Sequence, residues 1–454
     1  MTKLLEAFRN EMKKNKDKGN DDASGDVMYP TGFLNLDYLN GTRIFVQSGD
    51  LNMSYPSVGI MDGSAVQLIG RTHCGKTTFA VQMAANIVRP FKTSLIFHDD
   101  IEGGCPSRRY EKLCKMSSDE LKDRYVYRNK GITIENFYER IKMIHDLKIK
   151  DPDSYTYDTG LYDFKGDRIF KFEPTVYIVD SIPLLMPKDI MDADELSGQM
   201  AVTGIAKNNT FVFRKITQLC KEANIILITI NHILQDVQIN PMMHKKTSMP
   251  FLKQGERLPG GMAAQYLAST LIRCDFGSKL KPDETFGIQG FIGEFQVIKS
   301  RTNAAGRSIP MIFDQENGFD NELSLFQLLK QNNKINGSGS YLYLGNRDDI
   351  KFSMRTFKKT LKEYPELRQV LATQAIPILE DLLSNTDEYG YMEDEDMDTD
   401  INSLILGIGN GTVTIDESVN ESKAAPASSG KKKKGGITDI LGADLNTTVE
   451  EDLD

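Results

Sequence analysis

From Tyr29 to Asp320, short apolar runs alternate with stretches of helical periodicity. That order predicts βαβ units and a mostly parallel sheet. The clearest strand candidates are Ala65–Ile69, Ser94–His98, Thr175–Asp180, Ile225–Ile230, Ser269–Cys274 and Gly293–Ile298. Several are rich in Val and Ile and lack polar alternation, as strands do when helices cover both faces of their sheet. The fold class expected is α/β, a twisted sheet flanked by helices.

Toward both ends the pattern changes. Leu4, Leu5, Phe8 and Met12 fall at helical spacing among charged residues, and GNDDASGD after Lys18 breaks the run. Residues 1–27 thus read as a short helical arm, which either folds onto its own domain or docks on a neighbouring subunit. Residues 28–317 form the expected core. Residues 318–385 form a small C-terminal α/β lobe ending in a helix around Leu367–Leu383. The stretch 386–454 reads as a largely disordered acidic tail.

The chain has 454 residues, enough for two or three domains, with 40% apolar and 26% charged positions. No run approaches the roughly 18 apolar residues of a membrane span, and the first residues lack the apolar segment of a secretory signal. Five cysteines, without CxxC or Cys/His pairing, argue against a disulfide framework and a structural zinc site. A cytoplasmic protein is expected. From Thr386 onward 17 Asp/Glu face 5 Lys, a net of −12 against −9 for the whole chain, so residues 1–385 carry +3. A basic groove for a polyanion is compatible with such a body.

The strongest chemical signal is Gly70-Arg71-Thr72-His73-Cys74-Gly75-Lys76-Thr77, a complete G-x-x-x-x-G-K-[ST]. It follows AVQLI and, with Thr78, opens the helical TTFAVQMAANIV, the strand-to-helix context of a phosphate-binding loop. Its glycines let successive backbone N–H groups curl around phosphate oxygens, and the helix adds the positive end of its dipole. In such a loop Lys76 bridges the β- and γ-phosphates of ATP and Thr77 ligates Mg²⁺.

A nucleotide with Mg²⁺ also needs a carboxylate at the end of a nearby strand. VYIVDS supplies Asp180 there. Ser181 either bonds nearby water or starts a turn. SLIFHDDIEGG places Asp99, Asp100 and Glu102 just beyond another apolar run, and spacing alone does not choose between Asp100 and Glu102 as the acid that orients water. IILITI ends in Asn231-His232, a polar pair suited either to sensing the γ-phosphate or to capping.

These residues resemble a known family. VYIVDSIPLLMP and PTGFLNLDYLNG resemble the RecA-type recombinases. Asn231-His232, then Pro259-Gly260-Gly261-Met262, then Lys299-Ser300-Arg301-Thr302 are most similar to the phage UvsX-like strand-exchange proteins. The resemblance runs over roughly residues 28–384 in consistent order. It implies a RecA-like P-loop ATPase core in which Lys76, Thr77 and Asp180 hold MgATP. Glu102, followed by glycine, matches the catalytic glutamate. The chain is one residue longer here than the bacterial pattern, which keeps Asp100 in play. Arg108 resembles the position that stacks on adenine, a role that suits a guanidinium plane. His232 stands where bacterial members carry glutamine. Lys299 and Arg301 match the basic pair that reaches the γ-phosphate of an adjacent protomer; a solvated turn is the bland reading of that pair.

Two long connections complete the picture. Pro187–Ala206 carries Lys188, Gln199 and Met200, and Ile233–Gly261 carries Lys245, Lys246, Phe251, Lys253 and Arg257. Cations neutralise phosphates while apolar side chains pack on bases without reading sequence. In the family these regions hold single-stranded DNA. Lys351, Arg355, Lys358, Lys359 and Lys362 either guide duplex DNA or form a solvated helix face. The tail competes with DNA, binds a loader or single-strand-binding protein, or merely solubilises.

The resemblance therefore implies a DNA-dependent ATPase that self-associates into a helical filament on single-stranded DNA. It would catalyse homologous pairing and strand exchange with double-stranded DNA. A hexameric replicative helicase and an ATP-switched DNA-binding scaffold are the rivals. Fewer than 30 residues precede the similarity, short of the N-terminal domain such helicases carry.

Overall fold

A computed structural model describes residues 27–48, 51–103, 107–162, 168–191, 198–235, 251–260, 263–283 and 286–383, with backbone alone for 45–48, 51–53, 107, 198–209 and 263. The expected arm, apart from Val27, and the acidic tail lie outside the described residues.

One nine-stranded sheet organises the chain. Its strands are β1 (Ala65–Gly70), β2 (Ile96–Asp100), β3 (Tyr125–Arg128), β4 (Thr175–Asp180) and β5 (Ile225–His232). They are followed by β6 (Thr270–Leu280), β7 (Gly290–Lys299), β8 (Ser308–Asp314) and β9 (Gly318–Asp320). The spatial order is β9-β8-β7-β6-β1-β5-β4-β2-β3. Neighbours from β6 to β3 are parallel. The flank β6-β7-β8-β9 is antiparallel. All six expected strands lie in this sheet. Direction is the part that periodicity does not carry: residues 281–289 between β6 and β7 are too few for a helical crossover, so those strands turn back on each other.

Strand side chains alternate between two covered faces. On one face lies α1 (Lys76–Val88), with no charged residue after Lys76 and ten of its 13 residues buried, the composition of a helix enclosed by its surroundings. Phe79, Val81 and Met83 join Val66, Leu68, Val176, Ile178, Ile226 and Ile228 there. Tyr177, Val179, Ile225 and Leu227 point the other way, toward α2 (Ile134–Lys150) and α3 (Gly198–Glu222). Phe213, Ile216 and Cys220 supply the buried stripe of α3. The connection Pro187–Ala206, expected as a loop, holds a helical turn at Lys188–Met191 and is helical again from Gly198. Its second half is proline-free and continuous with that stripe, so helix propagates back through it.

A third apolar cluster brings Leu323 and Phe326 of α4 (Asn321–Gln331) against Phe357 and Leu361 of α5 (Phe357–Glu363) and Leu371 of α6 (Leu367–Glu380). Ile312 of β8 belongs to the same cluster, so residues 318–383 bury their apolar side chains partly against the sheet edge. Among the described residues no helix is long and apolar enough to cross a membrane.

Candidate phosphate-binding site

The parallel strands deliver their carboxyl ends side by side, the place where open α/β sheets gather ligands. Gly70 ends β1 opposite His232 of β5, and Asp180 ends β4 opposite Asp100 of β2. Between Gly70 and α1 the chain makes a tight loop with His73 at φ 64° and Gly75 at φ 81°. A Cβ at Gly75 would lie 2.9 Å from the Phe319 ring, and one at Gly70 would collide with the Cys274 carbonyl oxygen. Only glycine fits either place.

The expected residues of this loop converge. Lys76 is buried, its Nζ donating to the carbonyls of Gly70 (3.1 Å) and Arg71 (2.8 Å) and lying 3.5 Å from His232 Nδ1. Thr77 Oγ1 donates to Asp180 Oδ2 at 2.5 Å. The other Asp180 oxygen is buried without a hydrogen-bond partner. Burial pushes the Asp180 carboxyl up to about 7, against the Thr77 hydrogen bond, with the Glu102 and Asp100 charges adding to the rise.

Glu102 comes into the same space. Its Oε1 accepts from Ser181 Oγ at 2.7 Å and lies 2.6 Å from His232 Nε2. One ligand atom each from Glu102, Asp180 and His232 falls within 4.8 Å of the others, a trio of donors able to hold a divalent cation or a water.

The three acids that the sequence groups together go different ways. Asp99 and Asp100, expected just beyond the apolar run, are instead the last two residues of β2 and are buried. Asp99 faces α2, paired with Arg140 at 2.6 Å and accepting from Tyr177 Oη at 2.6 Å. Asp100 faces α1 and accepts from Tyr127 Oη (2.9 Å) and the Gly103 amide (2.7 Å). Strand pleat separates them, because neighbouring residues point to opposite faces.

Other expected site residues lie apart from this cluster. Arg108 is exposed near the start of a helix at Ser107–Cys114. A cleft of about 650 Å³ lined by His73, Gly75, Phe276, Phe313 and Gln315 adjoins the loop, and Arg108 does not line it. Lys299 Nζ donates to the carbonyls of Gln265 (3.1 Å) and Tyr266 (2.8 Å). Burial, then the Arg301 charge, lowers the Lys299 ammonium. Arg301 itself is exposed.

Of the expected DNA contacts, Lys188 is exposed and Lys253 keeps 70% of its side chain accessible, 3.6 Å from Asp275. Phe251 packs half-buried on Ile69, Ile233, Leu252 and Leu271. Arg257 is exposed on a two-residue strand paired with Leu234–Gln235. The side chains of Gln199 and Met200, and all of Lys245 and Lys246, lie outside the described residues. Lys358 is engaged at 3.0 Å by both Asp314 and Asp320, so it is no part of a free basic face.

One linkage was missed in the sequence. Arg71 of the loop donates to Gln235 (3.1 Å) and Glu256 (3.3 Å), and Glu256 is held by Arg273 at 2.8 and 3.1 Å. Burial alone would raise the Glu256 carboxyl, but Arg273, the Lys253 amide and Arg71 hold it down to about 2. The signal available was Arg273 itself, a charged residue inside an apolar strand, which calls for a buried partner.

No protein-family model matches the chain, and no curated protein matches it.

Proposed function

We propose that this chain is a RecA-type, DNA-dependent ATPase, closest to the UvsX-like strand-exchange proteins, that forms filaments on single-stranded DNA and promotes homologous pairing. The observation that carries the reading is the meeting of Lys76, Thr77, Asp180, Glu102 and His232 at the ends of four parallel strands. The residues fit MgATP on two counts: close neighbours leave no room for a Cβ at Gly70 or Gly75, so the tight loop is built for glycine, and Thr77 Oγ1 meets Asp180 Oδ2, a hydroxyl beside a carboxylate as a Mg²⁺ site requires. Thr77 and Asp180 would hold Mg²⁺, which when bound neutralises phosphate charge.

The chain's own residues then divide the work. Lys76, whose Nζ donates to the carbonyls of Gly70 and Arg71, would reach the β- and γ-phosphates. Glu102 orients the attacking water and takes its proton, held in place by Ser181 and His232. Contact of His232 with both Lys76 and Glu102 reports the γ-phosphate to the segment that begins at Ile233, where Lys253 and Arg257 meet DNA. Lys299 and Arg301 reach the nucleotide of an adjacent copy, Lys299 first releasing the two carbonyls it now caps. Oriented positive groups at a developing phosphate charge are the main source of catalysis in this chemistry.

Negative-stain imaging with single-stranded DNA and a slowly hydrolysed ATP analogue tests the reading. Helical filaments that form joint molecules with homologous duplex support it. Closed rings would assign a helicase, and DNA binding without joint molecules a scaffold.

A further inference from the structure

Behind the phosphate loop, on the α1 face of the sheet, lies a second group of donors, of which the proposed ATPase uses only Asp180. His98, Asp100 and Asp180 are all buried, at 0%, 2% and 2% exposure. One ligand atom from each lies within 4.8 Å of the other two. The strand register explains the meeting: His98 stands beside Ile178 and Asp100 beside Asp180, so all three side chains rise from the same face of β2 and β4.

Two observations point to an occupant. His98 Nε2 is buried without a hydrogen-bond partner, and so is Asp180 Oδ1. A polar atom left so in a protein interior forfeits its hydration without compensation. The outer partners are those of a ligand set. His98 Nδ1 lies 2.8 Å from Tyr125 Oη, and Asp100 accepts from Tyr127 Oη at 2.9 Å. When Nδ1–H donates to Tyr125, the Nε2 lone pair is turned free, the arrangement that orients metal-bound imidazoles.

We infer that His98, Asp100 and Asp180 form a second divalent-cation site, separate from the cation expected at Thr77. Asp180 bridges the two positions, one oxygen toward Thr77 and the other toward His98. Donors of one imidazole and two carboxylates favour a transition-series ion such as Mn²⁺ or Zn²⁺ over Mg²⁺. With bonds of about 2.1 Å, neighbouring donors around one ion stand about 3.0–3.4 Å apart, so from separations of up to 4.8 Å the side chains would draw together by up to about 2 Å on binding. The site needs no nucleotide and goes beyond the ATPase reading.

The test is titration of the nucleotide-free full chain with Mn²⁺, followed by calorimetry and by pulsed electron paramagnetic resonance, which detects a directly bound ¹⁴N. One Mn²⁺ per chain with a nitrogen coupling is expected. The coupling should vanish in His98→Gln and survive in His232→Gln. Tyr125→Phe should weaken binding by about tenfold or more, as loss of an outer partner does. Absence of nucleotide-free binding, with buried water as the only occupant, would overturn the site. A nitrogen coupling lost in His232→Gln and kept in His98→Gln would also overturn it, moving the ion to the Glu102 trio. Thermal melting of each variant separates loss of ligation from loss of fold, and Tyr125→Phe keeps every ligand if His98→Gln does not fold.

Discussion

Glu102 and His232 are joined Oε1 to Nε2 at 2.6 Å, although β4 lies between the strands that precede them. The contact spans 130 positions of sequence and places one of the two acids expected to orient water against the residue expected to sense the γ-phosphate or to cap its strand. Glu102→Gln should therefore lower ATP hydrolysis by about 100-fold or more while nucleotide binding persists, since general-base contributions are of that order. Phosphate release and fluorescent-nucleotide titration check the two halves separately. Asp100→Asn provides the contrast: with Asp100 capping Gly103 and facing Tyr127, hydrolysis should fall less than in Glu102→Gln.

Gly75→Ala introduces a side chain at φ 81° and 2.9 Å from the Phe319 ring. The loop must open to accept it. Nucleotide affinity should drop at least tenfold with the sheet preserved, read by nucleotide titration beside far-ultraviolet circular dichroism.

Glu256 ties the phosphate loop to the end of the Ile233–Gly261 connection through Arg71 and Arg273. Because its folded-state carboxyl sits near 2 and its ordinary value is 4.5, the stability it contributes is complete above about pH 4.5. That stability disappears as the pH falls toward 2. Glu256→Gln leaves Arg273 buried with a neutral partner and should cost about 3 kcal/mol at neutral pH. Chemical denaturation from pH 7 to pH 3 should show a shallower acid loss in the variant than in the parent protein.

Phe79 is fully buried, its ring among those of Phe33, Phe295 and Phe319 at centroid distances of 4.8–5.3 Å. It joins α1 to β7 and β9 directly behind the phosphate loop. Phe79→Ala should destabilise by about 3–5 kcal/mol. An equilibrium urea titration measures this, and an unchanged midpoint would show that the site rests on other packing.

Lys253 and Arg257 are the described cations of the connection expected to grip DNA. Replacing both with alanine should weaken single-stranded DNA binding and reduce the slope of affinity against salt by about one to two units, one for each phosphate no longer neutralised. Fluorescence anisotropy at several salt concentrations measures both. Equal affinity and an equal slope would remove these residues from the DNA surface.

The six main strands, the loop Gly70–Thr77 and the carboxylate Asp180 were legible along the chain, because each is written in neighbouring residues: an apolar run, a glycine spacing, an acid at a strand end. Tertiary structure alone decided the partners. It put Asp99 and Asp100 on opposite faces of β2, turned β7 back against β6, drew the start of α3 out of an expected loop, and paired Arg273 with Glu256. Periodicity records which side chains avoid water, whereas direction, face and partner depend on distances between segments that only close when the sheet assembles.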